Sequence, residues 1–391
     1  MYLIKNGQLV FENKIAQNHD MLIADGKICK IAPAGVIKVD GADVIDARGG
    51  YVAPGFIDIH SDYIEHMAAP RPTTVLDFQM AAREIEKQLI NQGVTTMYHS
   101  LSLMKDSYFT PQKIRTPENV KKLIDMIEKI DGQSKLIHHK FHARFEIDNV
   151  DQVQLLCDFI MQNKIHLLSF MDHTPGQGQY RNLENYCDIM KGYKDMNNTE
   201  LEQHIQEYQD KEKLDWDTIS TIAALAQKHH IAVASHDDDS VEKLDVVKSF
   251  GTTISEFPIT MEVAKAAQAK NMYTTAGAPN VLLGGSHAGN LSAAEAIGQG
   301  CIDILCSDYF PASLLHAVFH LHNHYGLNLA ELFQLVTINP AKAVGISREY
   351  GSLAEGKQGD VIIIDNAEDE FPVITAVFVD GRLVSTLNYY R

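Results

Sequence analysis

Tryptophan and cysteine are scarce: one Trp and five Cys in 391 residues. The cysteines (Cys29, Cys157, Cys187, Cys301, Cys306) are odd in number and form no C-x-x-C pair. Both features argue against a disulfide framework or a Cys-rich zinc site, and a reducing compartment fits. Positive charge is short as well. Lys plus Arg number 34 against 51 Asp plus Glu, a net charge of −17. Such an acidic surface argues against a nucleic acid or an anionic membrane as partner. It leaves room for a phosphorylated small substrate, because a few cations in a cleft outweigh the global field. No apolar stretch approaches the ~18 residues a membrane span needs. The opening MYLIKNGQLVFEN puts charge and turn residues where a signal peptide needs its apolar core. A cytoplasmic location is expected. With 45% apolar and 22% charged residues, the composition is that of a globular chain rather than a disordered or fibrous one.

Both ends read as short strands and turns. Leu3–Lys5, Gly7–Phe11, Met21–Ala24 and Lys27–Ile31 are broken by Asn6-Gly7 and Asp25-Gly26, dipeptides suited to tight hairpins. Near the C-terminus, Asp360–Ile364, Ala376–Val379 and Arg382–Val384 repeat the pattern around Asp380-Gly381. A small β-sandwich domain built from both termini is expected, over 1–53 plus 346–391. The middle, 54–345, alternates. Strand-like runs at Ile57–His60, Thr95–His99, Leu136–Glu146, His166–Met171, Ile231–Ser235, Thr252–Glu256, Met272–Ala276 and Asp303–Ser307 are separated by helical patterns. Eight such units are the rhythm of an α/β (β/α)8 barrel. A doubly wound sheet would want a Gly-rich phosphate loop after an early strand, and no G-x-G-x-x-G or Walker A pattern follows one. The polar stretch 176–213 breaks the rhythm after the fourth strand. It reads as a helical insertion, placed to act as a lid over the barrel mouth or as an oligomer contact.

Catalytic groups of a barrel enzyme sit at the C-terminal ends of its strands. Here those ends carry His60-Ser61-Asp62, His142 to Glu146, Asp172-His173, His236-Asp237-Asp238-Asp239, Glu256 and Asp308. Imidazole nitrogens and carboxylate oxygens suit zinc, manganese or iron. His60 and Asp62, two apart in an extended segment, share one face and can reach one ion. Asp239 is the candidate N-cap for a helix over Ser240–Phe250. Arg71, Arg144 and Arg181 lie in loops or at strand ends on the mouth side, and arginine grips phosphate with a planar fork. Backbone amides around Gly284-Gly285-Ser286-His287 can form an anion nest, with His287 and Asn290 as substrate contacts. His316, His320 and His324 share a helix face and read as a polar face rather than a metal clip.

The segment PGFIDIHSD resembles the first-strand motif of the amidohydrolase superfamily, with Asp62 where most members carry a second His. The resemblance is closer to one group within it, the PhnM-type diphosphatases of phosphonate metabolism in the carbon–phosphorus lyase pathway. The runs APRP, HARFE, MDHTPGQ, ASHDD, EFP, GAPN, GGSHAGN and SDYFPASLL follow in the order of that group. The resemblance implies a metal-dependent hydrolase binding one or two divalent ions, zinc first, with manganese or iron admissible. His60, Asp62, Glu146, His236 and Asp308 would be ligands, with His142, His173 and Glu256 less settled because Glu256 stands where a strand-six histidine is usual. Asp308 would also take the proton of the attacking water. Asp172, Asp237 and Asp238 are candidates for orienting the ligands from behind. The implied reaction is cleavage of ribose 1-methylphosphonate 5-triphosphate to the 5-phosphate and pyrophosphate. The implied partner is a phosphorylated sugar; no nucleic acid or membrane is expected, and a homo-oligomer is compatible. Two other readings stay open: an amidohydrolase acting on a C–N bond, and a non-catalytic scaffold of a phosphonate-utilisation complex.

Overall fold

A computed structural model describes residues 1–71, 73–104, 113–133, 135–193, 196–285, 290–366 and 371–388. The chain opens with five strands, β1 (Tyr2–Val10), β2 (Ile15–Ala24), β3 (Lys27–Pro33), β4 (Asp43–Asp46) and β5 (Tyr51–Pro54). Eight more follow: β6 (Phe56–Ser61), β7 (Val94–Leu103), β8 (His138–Glu146), β9 (Leu167–Met171), β10 (Ala232–His236), β11 (Ile254–Glu256), β12 (Tyr273–Gly277) and β13 (Ile304–Cys306). It closes with β14 (Val361–Asn366), β15 (Pro372–Val379) and β16 (Arg382–Thr386).

The terminal strands form one mixed sheet in the order β16-β15-β14-β5-β1-β2-β3, with β4 beside β1. Ile4, Leu9, Met21, Ile23, Val52, Val361 and Phe378, drawn from both ends of the chain, close on each other as its private core. Asp25-Gly26 and Asp380-Gly381 are the expected turns, each with positive φ. Asn6-Gly7 is not a turn. Asn6 takes φ +57 inside β1, where the pairing with β2 shifts register between Ile4 and Gly7. The dipeptide's left-handed preference is spent on a bulge, because both flanking runs stay paired to the same neighbour.

Strands β6 to β13 run parallel in sequence order. The ring closes where Ser61 pairs with Asp308: Asp308 N donates to His60 O (3.0 Å) and Asp62 N to Asp308 O (2.8 Å). Along one face of successive strands, apolar side chains give way to polar ones. Tyr98 precedes Ser100 and Ser102, Leu167 precedes Ser169, Ala234 precedes His236, and Ile254 precedes Glu256. The apolar members pack together as a plug. The polar members gather at the C-terminal rim.

Between strands, helices begin where a side chain can cap them. Thr116 accepts from Asn119 N with Pro117 at the first helical position, Asp215 from Thr218 N, and Thr260 from Val263 N. Ser240, not Asp239, caps the helix Val241–Ser249. Asp239 instead accepts from Gly178 N at 2.9 Å, tying the insertion to the end of β10. That insertion holds two helices, Leu183–Tyr193 and Asn198–Gln209, around Tyr180, Tyr186, Met190 and Leu201.

Candidate active site

The rim encloses a cavity of about 300 Å³ lined by residues from most barrel strands, among them Asp62, Arg144, His236 and Asp308. Its floor is a buried hydrogen-bond network. His60 Nδ1 lies 2.9 Å from Glu256 Oε1. The carboxylate oxygen accepts from Nδ1–H, which leaves the lone pair on Nε2. Ser169 Oγ donates to the other Glu256 oxygen at 2.6 Å and also bonds to His142 Nε2. Burial pushes His142 down to about 3 and holds His60 well below the usual histidine value, with Arg144 adding to both. Both rings are neutral at pH 7, the form that can ligate a metal.

A second set lies beside the first. His173 Nδ1 bonds to Glu146 Oε1, and its Nε2 stands 3.8 Å from Asp237 Oδ2. His236 Nδ1 is 3.1 Å from the same Asp237 oxygen. Burial opposes charge on Asp237, but the neighbouring His236 and His173 outweigh it and hold the carboxyl below its usual value. Asp237 and Asp308 both end their strands in the left-handed region, φ +52 and +59. Aspartate tolerates that region better than most residues, and there it turns the strand end back over the rim.

Two groups at the rim bring three ligand atoms within 4.8 Å, His60, His236 and Glu256, and His173, His236 and Asp237; a third among the described residues, His138, Asp360 and Asp380, lies away from it. His236 belongs to both rim groups. Among the described residues, His60 Nε2, both ring nitrogens of His236, Glu146 Oε2 and Asp62 Oδ1 are buried with no hydrogen-bond partner. Leaving so many polar atoms uncommitted in one place is costly unless something ligates them. A nitrogen and oxygen donor set of this kind fits a divalent ion such as zinc. Neither trio includes Asp62 or Asp308, which line the cavity beside them. Burial, and then the adjacent Asp62 charge, raise Asp308 to about 7.

The orienting aspartates differ. Asp237 faces His236, whereas Asp238 is held by Ser235 Oγ and Ser255 Oγ, both at 2.5 Å, and braces the strand floor. Asp172 caps its own turn through Thr174 and pairs with Lys213. Of the three expected arginines, only Arg144 lines the cavity, its Nε buried without a partner among the described residues. Arg71 and Arg181 are exposed. The turn Gly178–Tyr180 directs Gln179 and Tyr180 inward, so Arg181 leaves the rim. Arg71 sits in a tight turn bridged to Thr74. Arg115 supplies a cation the motifs did not single out. It lines the cavity, donates from Nε to Glu65 Oε2 (2.8 Å) and holds Nη2 3.9 Å from Asp62 Oδ2. Nothing in its sequence surroundings, KIRTP, marks it. Asn290 lines the cavity, and His287 lies outside the described residues.

The family model described as "Amidohydrolase family" matches residues 207–384. Over 387 residues the chain is 30% identical to alpha-D-ribose 1-methylphosphonate 5-triphosphate diphosphatase of Escherichia coli (strain K12), spanning 98% of this chain and 100% of that one. The chain belongs to the amidohydrolase family. Solved structures of the same fold superpose along nearly the whole length. An N-acetylglucosamine-6-phosphate deacetylase from Pasteurella multocida gives a TM-score of 0.67 at 12% identity, covering 98% of this chain and 100% of that chain. A D-hydantoinase gives 0.66 at 15% identity, covering 98% and 95%. As an amidohydrolase, the protein is a metal-dependent hydrolase, and two of its His, Asp and Glu clusters occupy the strand ends where the barrel presents its chemistry. Among the described residues, no helix is long and apolar enough to cross a membrane.

Proposed function

We propose that the protein hydrolyses the phosphoanhydride of a phosphonate-bearing sugar 5-triphosphate, ribose 1-methylphosphonate 5-triphosphate, to the 5-phosphate and pyrophosphate, using zinc. The observation that carries this reading is the pair of guanidinium groups, Arg144 and Arg115, on the cavity wall beside Asp62. A neutral amide gains nothing from two cations there, whereas a polyphosphate does. The extended similarity to the Escherichia coli diphosphatase supports the same substrate.

When bound, a divalent ion supplies Lewis acidity and a water that ionises near neutral pH. His60 and His236, with Glu146, Asp62 or Glu256, would hold it. Glu256, bonded at Nδ1, fixes the His60 ring and leaves its Nε2 free, and Asp237 stands 3.1 Å from His236 Nδ1. Asp308 accepts the proton of the attacking water as its oxygen bonds to phosphorus. The bridging P–O bond breaks, and its electron pair leaves on pyrophosphate oxygen. Arg144 and Arg115 neutralise charge on the phosphoryl oxygens, and Glu65 keeps Arg115 aimed. Gln179 and Tyr180, carried by the insertion, close the rim against water.

The test compares pyrophosphate release from the 5-triphosphate with turnover of the 5-monophosphate, cyclic amides and N-acetyl sugars, using purified enzyme with added zinc or manganese. Pyrophosphate release with no amide cleavage is expected. Efficient amide hydrolysis without pyrophosphate would replace this reading with C–N hydrolysis.

A further inference from the structure

A second cavity, of about 420 Å³, opens on the far side of β9 and β10 from the catalytic rim, beneath the helices Trp216–Lys228 and Val241–Ser249. This volume lies within the range of small-molecule sites. Its walls are mainly apolar, with Ile147, Met171, Leu214, Ile219 and Val246 among them. The chain's single tryptophan, Trp216, lines it while 52% exposed. Tryptophan is among the more buried side chains on average, and one left open beside an apolar cavity is an aromatic surface without a cover. Phe250 stands next to it, ring centroids 5.7 Å apart and 31° from parallel. The two rings sit tilted against each other on one wall.

The polar end holds charge of both signs. Four charged residues line the cavity: Asp172, Asp239, Lys213 and Lys243. Both carboxylates are already engaged by the protein. Asp172 accepts from Thr174 N at 3.0 Å and from Thr174 Oγ1 at 2.5 Å, and Asp239 from Gly178 N at 2.9 Å. Lys213 approaches Asp172 only at 3.3 and 3.5 Å, distances too long for strong hydrogen bonds. An ammonium carries three donors, so Lys213 can add an anion without giving up its aspartate. We propose that this cavity is a second ligand site, for a planar aromatic molecule carrying one anionic group, stacked on Trp216 and Phe250 with its charge on Lys213.

The site adjoins the catalytic centre from behind. Lys243 Nζ, also on the cavity wall, donates to His236 O (2.9 Å) and Asp237 O (3.1 Å). Those carbonyls belong to the strand end that positions the shared ligand His236. The proposal does not depend on which bond the catalytic site cleaves.

The single tryptophan provides the readout. The probe is 8-anilinonaphthalene-1-sulfonate, an aromatic sulfonate, titrated while exciting Trp216 and recording energy transfer. One saturable site per chain is expected, with Trp216 emission quenched in step. The neutral analogue N-phenyl-1-naphthylamine should bind at least tenfold more weakly. Val246→Phe, which fills the cavity, and Lys213→Met, which removes the ammonium at the surface, should each weaken the sulfonate at least tenfold. Circular dichroism confirms that both variants fold. Absence of saturable transfer, equal affinity for the neutral analogue, or unchanged affinity in folded Val246→Phe or Lys213→Met would overturn the proposal.

Discussion

Asp308 combines a buried position, a left-handed backbone and three acidic neighbours, Asp62, Asp237 and Asp58, yet neither ligand trio needs it. That separates its two expected duties. Asp308→Asn should keep most of the bound metal, because His60, His236 and Glu256 stay in place. Turnover should fall about 10²–10⁴-fold, the range for loss of a positioned general base. Metal content by mass spectrometry and turnover on the same sample check this; unchanged turnover would remove Asp308 from the chemistry. The arginines give a second residue-level expectation. Arg144→Lys keeps the charge but loses the planar fork that meets two phosphoryl oxygens at once. The value of kcat/KM for the triphosphate should drop roughly 10–100-fold, each tenfold step being about 1.4 kcal/mol. Lysine at Arg144 behaving like arginine would show that charge alone suffices there.

At the scale of elements, the eight barrel strands were legible because each is a short, largely apolar run, and most have His, Asp or Glu at or just after their ends. That pattern comes from a parallel barrel with a dry floor and a wet rim. His60, His236, Glu256 and Asp237 could be picked out for the same reason. What escaped was set by tertiary contact. Arg115 reaches the cavity from a short turn with no periodicity, and only its pairing with Glu65 reveals it. Arg181 follows a turn whose handedness decides which side chains face inward, and KIRTP or GQYR carries no signal for that. The same turn offers a prediction. Gly178 sits at φ +51, and a Cβ there would meet Asp237 Cβ at 3.1 Å and Asp237 O at 3.2 Å. Gly178→Ala adds left-handed strain and pushes on the residue that orients His236. The variant should fold yet lose at least about tenfold in kcat/KM, since small displacements of positioning groups are costly. Wild-type kinetics from folded Gly178→Ala would mean that the insertion rests on the rim without bracing it.

On the scale of the whole molecule, the terminal sheet and the barrel are joined by a buried ion pair at the end opposite the active site. His138 opens β8, and its Nε2 lies 3.1 Å from Asp360 Oδ2 and 3.6 Å from Asp380 Oδ1. Asp360 immediately precedes β14, and Asp380 is in the turn between β15 and β16. Burial alone would lower the His138 value, but the two carboxylates outweigh it and raise it above the usual histidine range. The unfolded chain has no such partners, so its histidine titrates near ~6.5. Below that pH both states are protonated and the pair contributes its full stabilisation. As pH rises through the raised folded value, the native state loses the proton and the contribution disappears. His138→Gln cannot carry the charge at any pH. Wild type should therefore melt several degrees above His138→Gln at pH 5.5–6, and the gap should close by pH 9, with metal held constant throughout. The measurement is thermal unfolding of both proteins across that range at fixed ionic strength. A gap that does not vary with pH would show that His138 holds the two units together by packing against Tyr350, whose ring lies 5.0 Å away, rather than by charge.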